Sequence, residues 1–269
     1  MALSPETIEQ LGDELFGALT DRRTVAPISR RYPDVSIDDA YQISRRLLSR
    51  RLDSGERLVG KKIGVTSKAV QDMLNVRQPD FGYLTDTMVY PDGGEMPIGD
   101  RLIQPRAECE IAFRLKSDLN GPGITNQDVL DATDAIMACF EIVDSRIEDW
   151  KIGIQDTIAD NASSGLYVLG SDEVSPFDVD LVGCQMTVFK NGTELSRGTP
   201  ETALTGQPQL ITPLACVAWL ANTLGRFGIG LKAGETILSG SLVPLEPVVP
   251  GDVMRCEIGG IGGASVRFV

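Results

Sequence analysis

Residues 105–113 read PRAECEIAF, and this stretch places two glutamates two positions apart in a segment that otherwise has the pattern of a β-strand. Because successive side chains on a strand point to opposite faces, Glu108 and Glu110 share one face and Cys109 lies on the other. Two carboxylates this close repel each other unless solvent, a cation or a shared proton offsets the repulsion. The stretch therefore predicts either a cation site or a solvated edge strand.

The chain that follows Gly60 has short apolar runs separated by glycine, proline and aspartate, which is typical of a β-rich region. Within MTVFKNGTEL (186–195), the pair Asn191-Gly192 lies between alternating apolar positions and predicts a hairpin with a type I′ turn. Two helices are predicted to interrupt the strands, one beginning near Thr125 and one at Thr212.

The first part of the chain has the pattern of amphipathic helices instead. One helix is predicted after Ser4-Pro5, and a second after a capping box formed by Ser36 and Asp39. We therefore predict an α+β fold with a helical segment over residues 1–58 and a β-rich domain over residues 59–269, which together form one functional unit.

The overall charge restricts the class of partner. The chain has 269 residues with 38 acidic and 25 basic side chains, a formal net charge of −13, which disfavours nucleic acid and anionic membranes and favours a small molecule. The five cysteines show no C-x-x-C pairing, as in a reduced protein. With no signal-peptide pattern and no apolar run of about 18 residues, a cytoplasmic location is expected.

The sequence contains no histidine. This excludes Ser-His-Asp and Cys-His nucleophilic catalysis, histidine-ligated zinc and the iron site built from two histidines and a carboxylate. Any metal must be held by oxygen, and proton transfers must come from lysine, acidic, tyrosine or cysteine side chains or from water.

A third carboxylate lies in the apolar run IMACFEIVD (136–144), where Glu141 stands between Phe140 and Ile142. A carboxylate in such surroundings is costly to bury unless it is paired or binds a metal. With Glu108 and Glu110 it would complete a site of oxygen ligands suited to Mg²⁺ or Mn²⁺. The alternative is a salt bridge from Glu141 to Arg106 or Arg146.

Three further stretches carry polar side chains that allow two interpretations each. GKKIGVTS (60–67) contains two lysines before a predicted short helix and matches neither phosphate-binding glycine motif. A lysine here either orients a carboxylate or transfers a proton near a metal-bound acid, or it is surface charge. Asp80 follows a proline in RQPDFGYL (77–84), and ADNASSGLYVLG (159–170) offers hydroxyl and amide groups. Each of the last two is also explained by turn formation.

Four long stretches together resemble the 2-keto-4-pentenoate (2-hydroxypenta-2,4-dienoate) hydratases, meta-cleavage-pathway enzymes of the fumarylacetoacetate hydrolase superfamily. The stretches, which span nearly the whole chain in order, are GKKIGVTSKAVQDMLNVRQPDFGYLTDTMVY, LIQPRAECEIAF, CFEIVDSRIEDWKIGIQDTIADNASSG and AGETILSGSLVPLEPV. The related 4-oxalocrotonate decarboxylases share the metal motif and ADNASS. GKKIGVTSKAVQ, QPDFGYLTD and SGSLVPLEPV resemble the hydratase branch more closely.

The resemblance implies a mixed, strongly bent β-sheet roll that forms the catalytic domain over residues 59–269. It implies a divalent ion, Mg²⁺ or Mn²⁺, on three glutamates, two catalytic residues near the substrate and one serine within reach of it. These residues are Glu108, Glu110 and Glu141 for the metal, Lys62 and Asp80 for catalysis, and Ser163 for substrate binding. Lys62 is expected to act in the chemistry and to tolerate replacement by methionine within about 1 kcal/mol of stability, as a non-core residue does.

The implied reaction is hydration of 2-hydroxypenta-2,4-dienoate to 4-hydroxy-2-oxopentanoate in aromatic catabolism. The resemblance also implies a homo-oligomer, a decamer or its pentameric half, and possible association with the pathway decarboxylase or aldolase. Three alternatives stay open: the decarboxylase, a C–C bond hydrolase, which the absence of histidine disfavours, and a non-catalytic complex partner, which the intact acidic residues disfavour. One stretch, residues 196–209, departs from the family pattern and leaves the preferred substrate length open.

Overall fold

The computed structural model describes residues 2–67, 71–72, 76, 78–204, 210 and 212–269. The short helix predicted after residues 60–67 falls largely on positions outside this part of the chain, as do residues 205–209 of the divergent stretch. The α-helices are α1 (Pro5–Asp21), α2 (Ile28–Arg31), α3 (Ile37–Asp53), α4 (Ile98–Arg101), α5 (Asn126–Ala132), α6 (Ile154–Ala159), α7 (Pro200–Ala203) and α8 (Pro213–Gly225). Single 3-10 turns cover Glu148–Trp150 and Asn161–Ser163.

The predicted helix starts are confirmed by their caps. Ser4 accepts a hydrogen bond from the Thr7 amide ahead of α1, and Ser36 and Asp39 form the reciprocal capping box of α3. Thr125 forms a capping box with Asp128 ahead of α5, and the Thr212 hydroxyl accepts from the Ala215 amide ahead of α8. These hydroxyl groups satisfy amide groups that have no partner inside the helix. None of the helices in the described part of the chain combines the length and hydropathy needed to span a bilayer.

The strands form two mixed sheets. The strands are β1 (Leu58–Gly64), β2 (Asp80–Thr85), β3 (Val89–Pro91), β4 (Glu95–Met96), β5 (Arg106–Leu115), β6 (Thr133–Val143), β7 (Ser164–Leu169), β8 (Met186–Lys190), β9 (Thr193–Gly198), β10 (Thr236–Leu238), β11 (Glu246–Pro247), β12 (Val253–Ile258) and β13 (Gly262–Phe268). The larger sheet has the order β2-β1-β10-β5-β6-β7-β3, with β11 also paired to β5, and the smaller has the order β4-β13-β12-β8-β9. The predicted α+β class is confirmed.

The hairpin between β8 and β9 turns at Asn191 and Gly192, whose φ angles are 53° and 80°. Both residues therefore have positive φ, as the predicted type I′ turn requires. The two sheets share one apolar core, in which Cys109 and Ile111 of β5 belong to the same cluster as Cys256 of β12. The opposite face of β5 carries Glu108 and Glu110. The apolar core therefore lies on one face of this strand, and the two carboxylates lie on the other.

Asp80 is the first residue of β2 and pairs with Gly64 at the end of β1. The sequence pattern predicted Asp80 in a turn, and this was wrong because β2 already begins at Asp80. The pairing leaves no room for a side chain at position 64. A Cβ atom there would lie 2.3 Å from Oδ1 of Asp80 and 3.2 Å from Nζ of Lys62.

Candidate active site

Three buried carboxylates meet where β5 pairs with β6. Glu108 lies directly opposite Glu141 in the antiparallel register, and Glu110 is two residues further along the same face of β5. One carboxylate oxygen from each residue lies within 4.8 Å of the other two. Because β5 is an interior strand and these side chains are buried, the solvated edge-strand alternative is wrong.

The electrostatics of this cluster fit a cation. Burial raises the pKa of Glu108 to about 8, and the charge of Glu141 adds to the effect. Burial also raises the pKa of Glu110 and of Glu141. Glu110 accepts one hydrogen bond at Oε2 from the Gly240 amide at 2.7 Å, and its Oε1 has no donor among the described residues. Three convergent carboxylates with an unpaired oxygen suit a hard divalent cation.

Lys62 lies beside this cluster. Its Nζ is 3.2 Å from Oε1 of Glu141, and only 2% of its side chain is exposed. Burial acts to lower the pKa of Lys62, but the charges of Glu141 and Asp80 outweigh burial and raise it, so the side chain stays cationic. The surface-charge alternative is therefore wrong, and so is the expectation that Lys62 is a non-core residue.

The neighbouring Lys61 has a different role. Its Nζ contacts both carboxylate oxygens of Glu235 at 2.6 and 2.7 Å, and both residues are buried. Since adjacent residues of a strand point to opposite faces, only one of the two lysines can reach the acidic cluster. Lys62 is that lysine. Lys61 instead links β1, through its ion pair with Glu235, to the segment that precedes β10.

Asp80, Thr157 and Ser163 form a hydrogen-bonded group next to Lys62. The Thr157 hydroxyl donates to Oδ2 of Asp80 at 2.8 Å and lies 3.5 Å from the Ser163 hydroxyl. Oδ1 of Asp80 has no hydrogen-bond donor among the described residues. Burial raises the pKa of Asp80, while the charge of Lys62 and the Thr157 hydroxyl lower it. One carboxylate oxygen is thus fixed and the other is left for a further partner.

Ser163 belongs to a turn with unusual backbone geometry. Asn161, Ala162 and Ser163 have φ angles of 55°, 51° and 53°, although none is glycine. Such left-handed residues are strained and persist only where the surroundings hold them. The Asn161 side chain provides such support, since it accepts from the Tyr83 amide at 2.8 Å and donates to the Tyr83 carbonyl at 3.0 Å.

The arginines proposed as alternative partners of Glu141 lie elsewhere. The guanidinium of Arg146 is buried and donates through Nε to Oδ1 of Asp160 at 2.6 Å, next to the left-handed turn. The guanidinium of Arg106 lies over the Trp150 ring, 4.8 Å from its centroid. Glu141 pairs with Lys62 instead, so the alternative of a salt bridge to Arg146 is wrong.

Several of these groups line one small cavity. Its polar lining residues are Lys62, Asp80, Glu108, Thr157 and Ser163, and its other lining residues are Gly64, Val65, Val143, Trp150, Ala162 and Leu245. The sequence interpretation did not single out Thr157 or the apolar lining residues. Thr157 lies in the stretch DTIADNASS. The local sequence does not reveal that its hydroxyl contacts Asp80, a residue 77 positions away.

Comparisons with known proteins identify the family of the chain. A sequence model of the family described as "Fumarylacetoacetate (FAA) hydrolase C-terminal" matches residues 56–269. The chain is 64% identical over 222 residues to a 2-hydroxypent-2,4-dienoate hydratase of Pseudomonas putida, covering 82% of this chain and 97% of that protein. It is 54% identical to a 2-hydroxyhexa-2,4-dienoate hydratase of Comamonas testosteroni, covering 97% of both chains.

Solved structures show the same fold. The 4-oxalocrotonate decarboxylase of Pseudomonas putida G7, complexed with magnesium and adipate, superposes with a TM-score of 0.92 at 32% identity over 99% of both chains. A complex of the same enzyme with calcium and acetate gives a TM-score of 0.90. By sequence, the chain belongs to the fumarylacetoacetate hydrolase family and, within it, to the 2-hydroxypentadienoate (2-keto-4-pentenoate) hydratases.

Proposed function

We propose that the protein is a metal-dependent hydro-lyase that converts 2-hydroxypenta-2,4-dienoate to 4-hydroxy-2-oxopentanoate in aromatic meta-cleavage catabolism. The observation that carries the proposal is the buried contact of Lys62 with Glu141, inside a cluster that also contains Glu108 and Glu110. A buried cation beside a cluster of three acids, with Glu108 and the hydrogen-bonded Asp80 at one cavity, is a set typical of proton-transfer enzymes. The hydratase relatives support this choice of reaction.

Glu108, Glu110 and Glu141 are the proposed ligands of a divalent cation, Mg²⁺ or Mn²⁺. When bound, such an ion would supply a Lewis acid to the substrate carboxylate and 2-oxygen and would stabilise negative charge that develops there. The decarboxylase neighbour contains magnesium or calcium in its solved complexes, which supports a divalent ion.

The chain's own side chains are proposed to bind the substrate and move protons. The reaction first delivers a proton to C5 while the 2-hydroxyl loses one, and water then adds a hydroxyl at C4 and a proton at C3. Lys62 and Asp80 are the candidates for these transfers, because both are buried at the cavity and Oδ1 of Asp80 has no donor within the described part of the chain. Thr157 donates to Oδ2 of Asp80, and the nearby Ser163 hydroxyl is proposed to orient substrate or water.

A second candidate is 4-oxalocrotonate decarboxylation, because the decarboxylase shares the fold over the whole chain. The higher identity to the hydratases favours hydration. We further propose a homo-oligomer, decameric or pentameric, that is able to associate with the pathway decarboxylase or aldolase. A cytoplasmic location is part of the proposal, and the five cysteines, all free and buried, agree with it.

The test is an ultraviolet assay of dienoate consumption with and without Mg²⁺ or Mn²⁺, combined with identification of the product. The proposal predicts metal-dependent loss of the dienoate absorbance and formation of 4-hydroxy-2-oxopentanoate. Activity that survives exhaustive chelation would contradict the metal assignment. Sedimentation of the purified protein tests the oligomeric state independently.

A further inference from the structure

A small group of buried apolar residues lies beside the cavity and consists of Val65, Val76, Val143 and Leu245. Trp150 and Ile154 pack both against this group and against the main core. Three members of this group and Trp150 line the same cavity as Lys62 and Asp80. We call Val65, Val143, Trp150 and Leu245 the end pocket. An apolar wall inside a catalytic cavity buries an apolar part of the ligand at a favourable free energy.

The sheet register gives the distance from the acidic cluster to this wall. Val143 lies two residues after Glu141 on the same face of β6, which corresponds to about 7 Å along the strand. If the carboxylate and 2-oxygen of a dienoate lie at the glutamates, as the proposed function requires, its far carbons extend to this distance. The end pocket therefore lies where the tail of a five- or six-carbon substrate ends.

Val65 has a backbone conformation that a valine rarely adopts. Its φ angle is 59°, in the left-handed region that strongly disfavours β-branched residues. The buried Gln71 side chain donates to the Val65 carbonyl at 3.0 Å and helps to hold this conformation. Strained residues of this kind cluster at ligand sites, where the strain orients a side chain.

We propose that the end pocket receives the uncharged tail of the substrate, and that Val65 sets the depth of the pocket and thus the preferred chain length. This inference rests on the proposed function, because it assumes a dienoate anchored at the glutamates. It also specifies the substrate class. The pocket accepts a terminal methylene or methyl group and disfavours a second carboxylate, whose desolvation the apolar wall does not compensate.

The test compares wild type, Val65→Ala and Leu245→Ala on three substrates: the five-carbon dienoate, the six-carbon 2-hydroxyhexa-2,4-dienoate, and its analogue with a terminal carboxylate. Deepening the pocket should raise kcat/KM for the six-carbon relative to the five-carbon substrate by about tenfold or more, the effect of one methylene group. Val188→Ala, a buried change in β8 of the smaller sheet, is the matched control and should leave the ratio unchanged.

A binding measurement keeps the test independent of turnover. Calorimetric titration with 2-oxopentanoate and 2-oxohexanoate should show the same change in preference in the Val65→Ala variant. If either Val65→Ala or Leu245→Ala fails to fold, the other variant still provides the comparison with wild type. Unchanged ratios in a folded variant, or a wild type that turns over the terminal carboxylate analogue as well as the six-carbon dienoate, would overturn the inference. A wild type inactive on all dienoates would instead refute the proposed function.

Discussion

The ammonium group of Lys62 lies 3.2 Å from the carboxylate of Glu141 in a buried environment. A charge pair removed from water is costly unless both members gain further partners, and breaking it leaves an unpaired buried charge. Here the remaining partners are the other acids of the cluster and, in the proposed function, a cation and a substrate. The pair is therefore best explained by catalysis, and the adjacent Lys61 offers a natural control.

Lys62→Met is predicted to abolish most turnover per folded molecule, whereas Lys61→Met is predicted to retain it. Both changes should destabilise the protein, and Lys61→Met should cost about 3–5 kcal/mol because Glu235 is left buried without its cation. Denaturant unfolding and kcat, measured on the same preparations, check the two effects. A Lys62→Met variant with wild-type kcat would remove this residue from the mechanism.

Glu110→Gln is predicted to weaken metal binding and activity together. The amide keeps the shape of the side chain and an oxygen that can accept from the Gly240 amide, but it lacks the negative charge. Removal of a residue that only hydrogen-bonds a metal ligand lowers metal affinity by about 10- to 100-fold. The loss of metal affinity in Glu110→Gln should be larger, because Glu110 is a proposed ligand itself. Titration calorimetry with Mn²⁺ gives the affinity, and Glu257→Gln on the exposed face of β12 is the control. Equal affinities in the two variants would refute the ligand assignment.

Thr157→Val is predicted to lower kcat by about 10- to 100-fold with little change in KM, because Asp80 loses the group that fixes its orientation. The Thr157 hydroxyl lowers the pKa of Asp80, so its removal raises that pKa further. In a plot of kcat against pH, the inflection caused by ionisation of Asp80 should therefore move to higher pH. Thr133→Val, which removes a buried hydroxyl that donates to a helix carbonyl, should leave the pH profile in place.

A Gly-Ala-Gly-Ala-Ala graft over residues 199–203 tests the divergent stretch. The Thr199 side chain caps α7, and none of the described residues between 196 and 204 lines the cavity. We therefore expect about 1 kcal/mol of lost stability from the missing cap and an unchanged ratio of kcat/KM for five- and six-carbon dienoates. A changed ratio would mean that this stretch influences the pocket.

Much of the site was predictable because its signals are local. The alternation in PRAECEIAF placed Glu108 and Glu110 on one face, and the apolar run around Glu141 marked a carboxylate that needs a partner. The choice of Lys62 over Lys61 came from family resemblance alone. The alternation in β1 separates the two lysines but does not reveal which face meets the acids.

Other features depend on contacts between distant parts of the chain. Lys61 contacts Glu235 across 174 positions, and Thr157 contacts Asp80 across 77, and no local pattern encodes either pair. Asp80 was assigned to a turn because proline and aspartate favour turns, although strand pairing with Gly64 determines its conformation. The left-handed conformation of Val65 runs against the backbone preference of valine and is imposed by its surroundings.

The most direct test of the central claim is mass analysis of the products formed by the Mg²⁺-loaded enzyme from 2-hydroxypenta-2,4-dienoate and, in parallel, from 4-oxalocrotonate. The account predicts that the five-carbon dienoate gains the mass of one water molecule to give 4-hydroxy-2-oxopentanoate, and that 4-oxalocrotonate releases no CO₂. Release of CO₂ from 4-oxalocrotonate, with the five-carbon dienoate left unchanged, would contradict it.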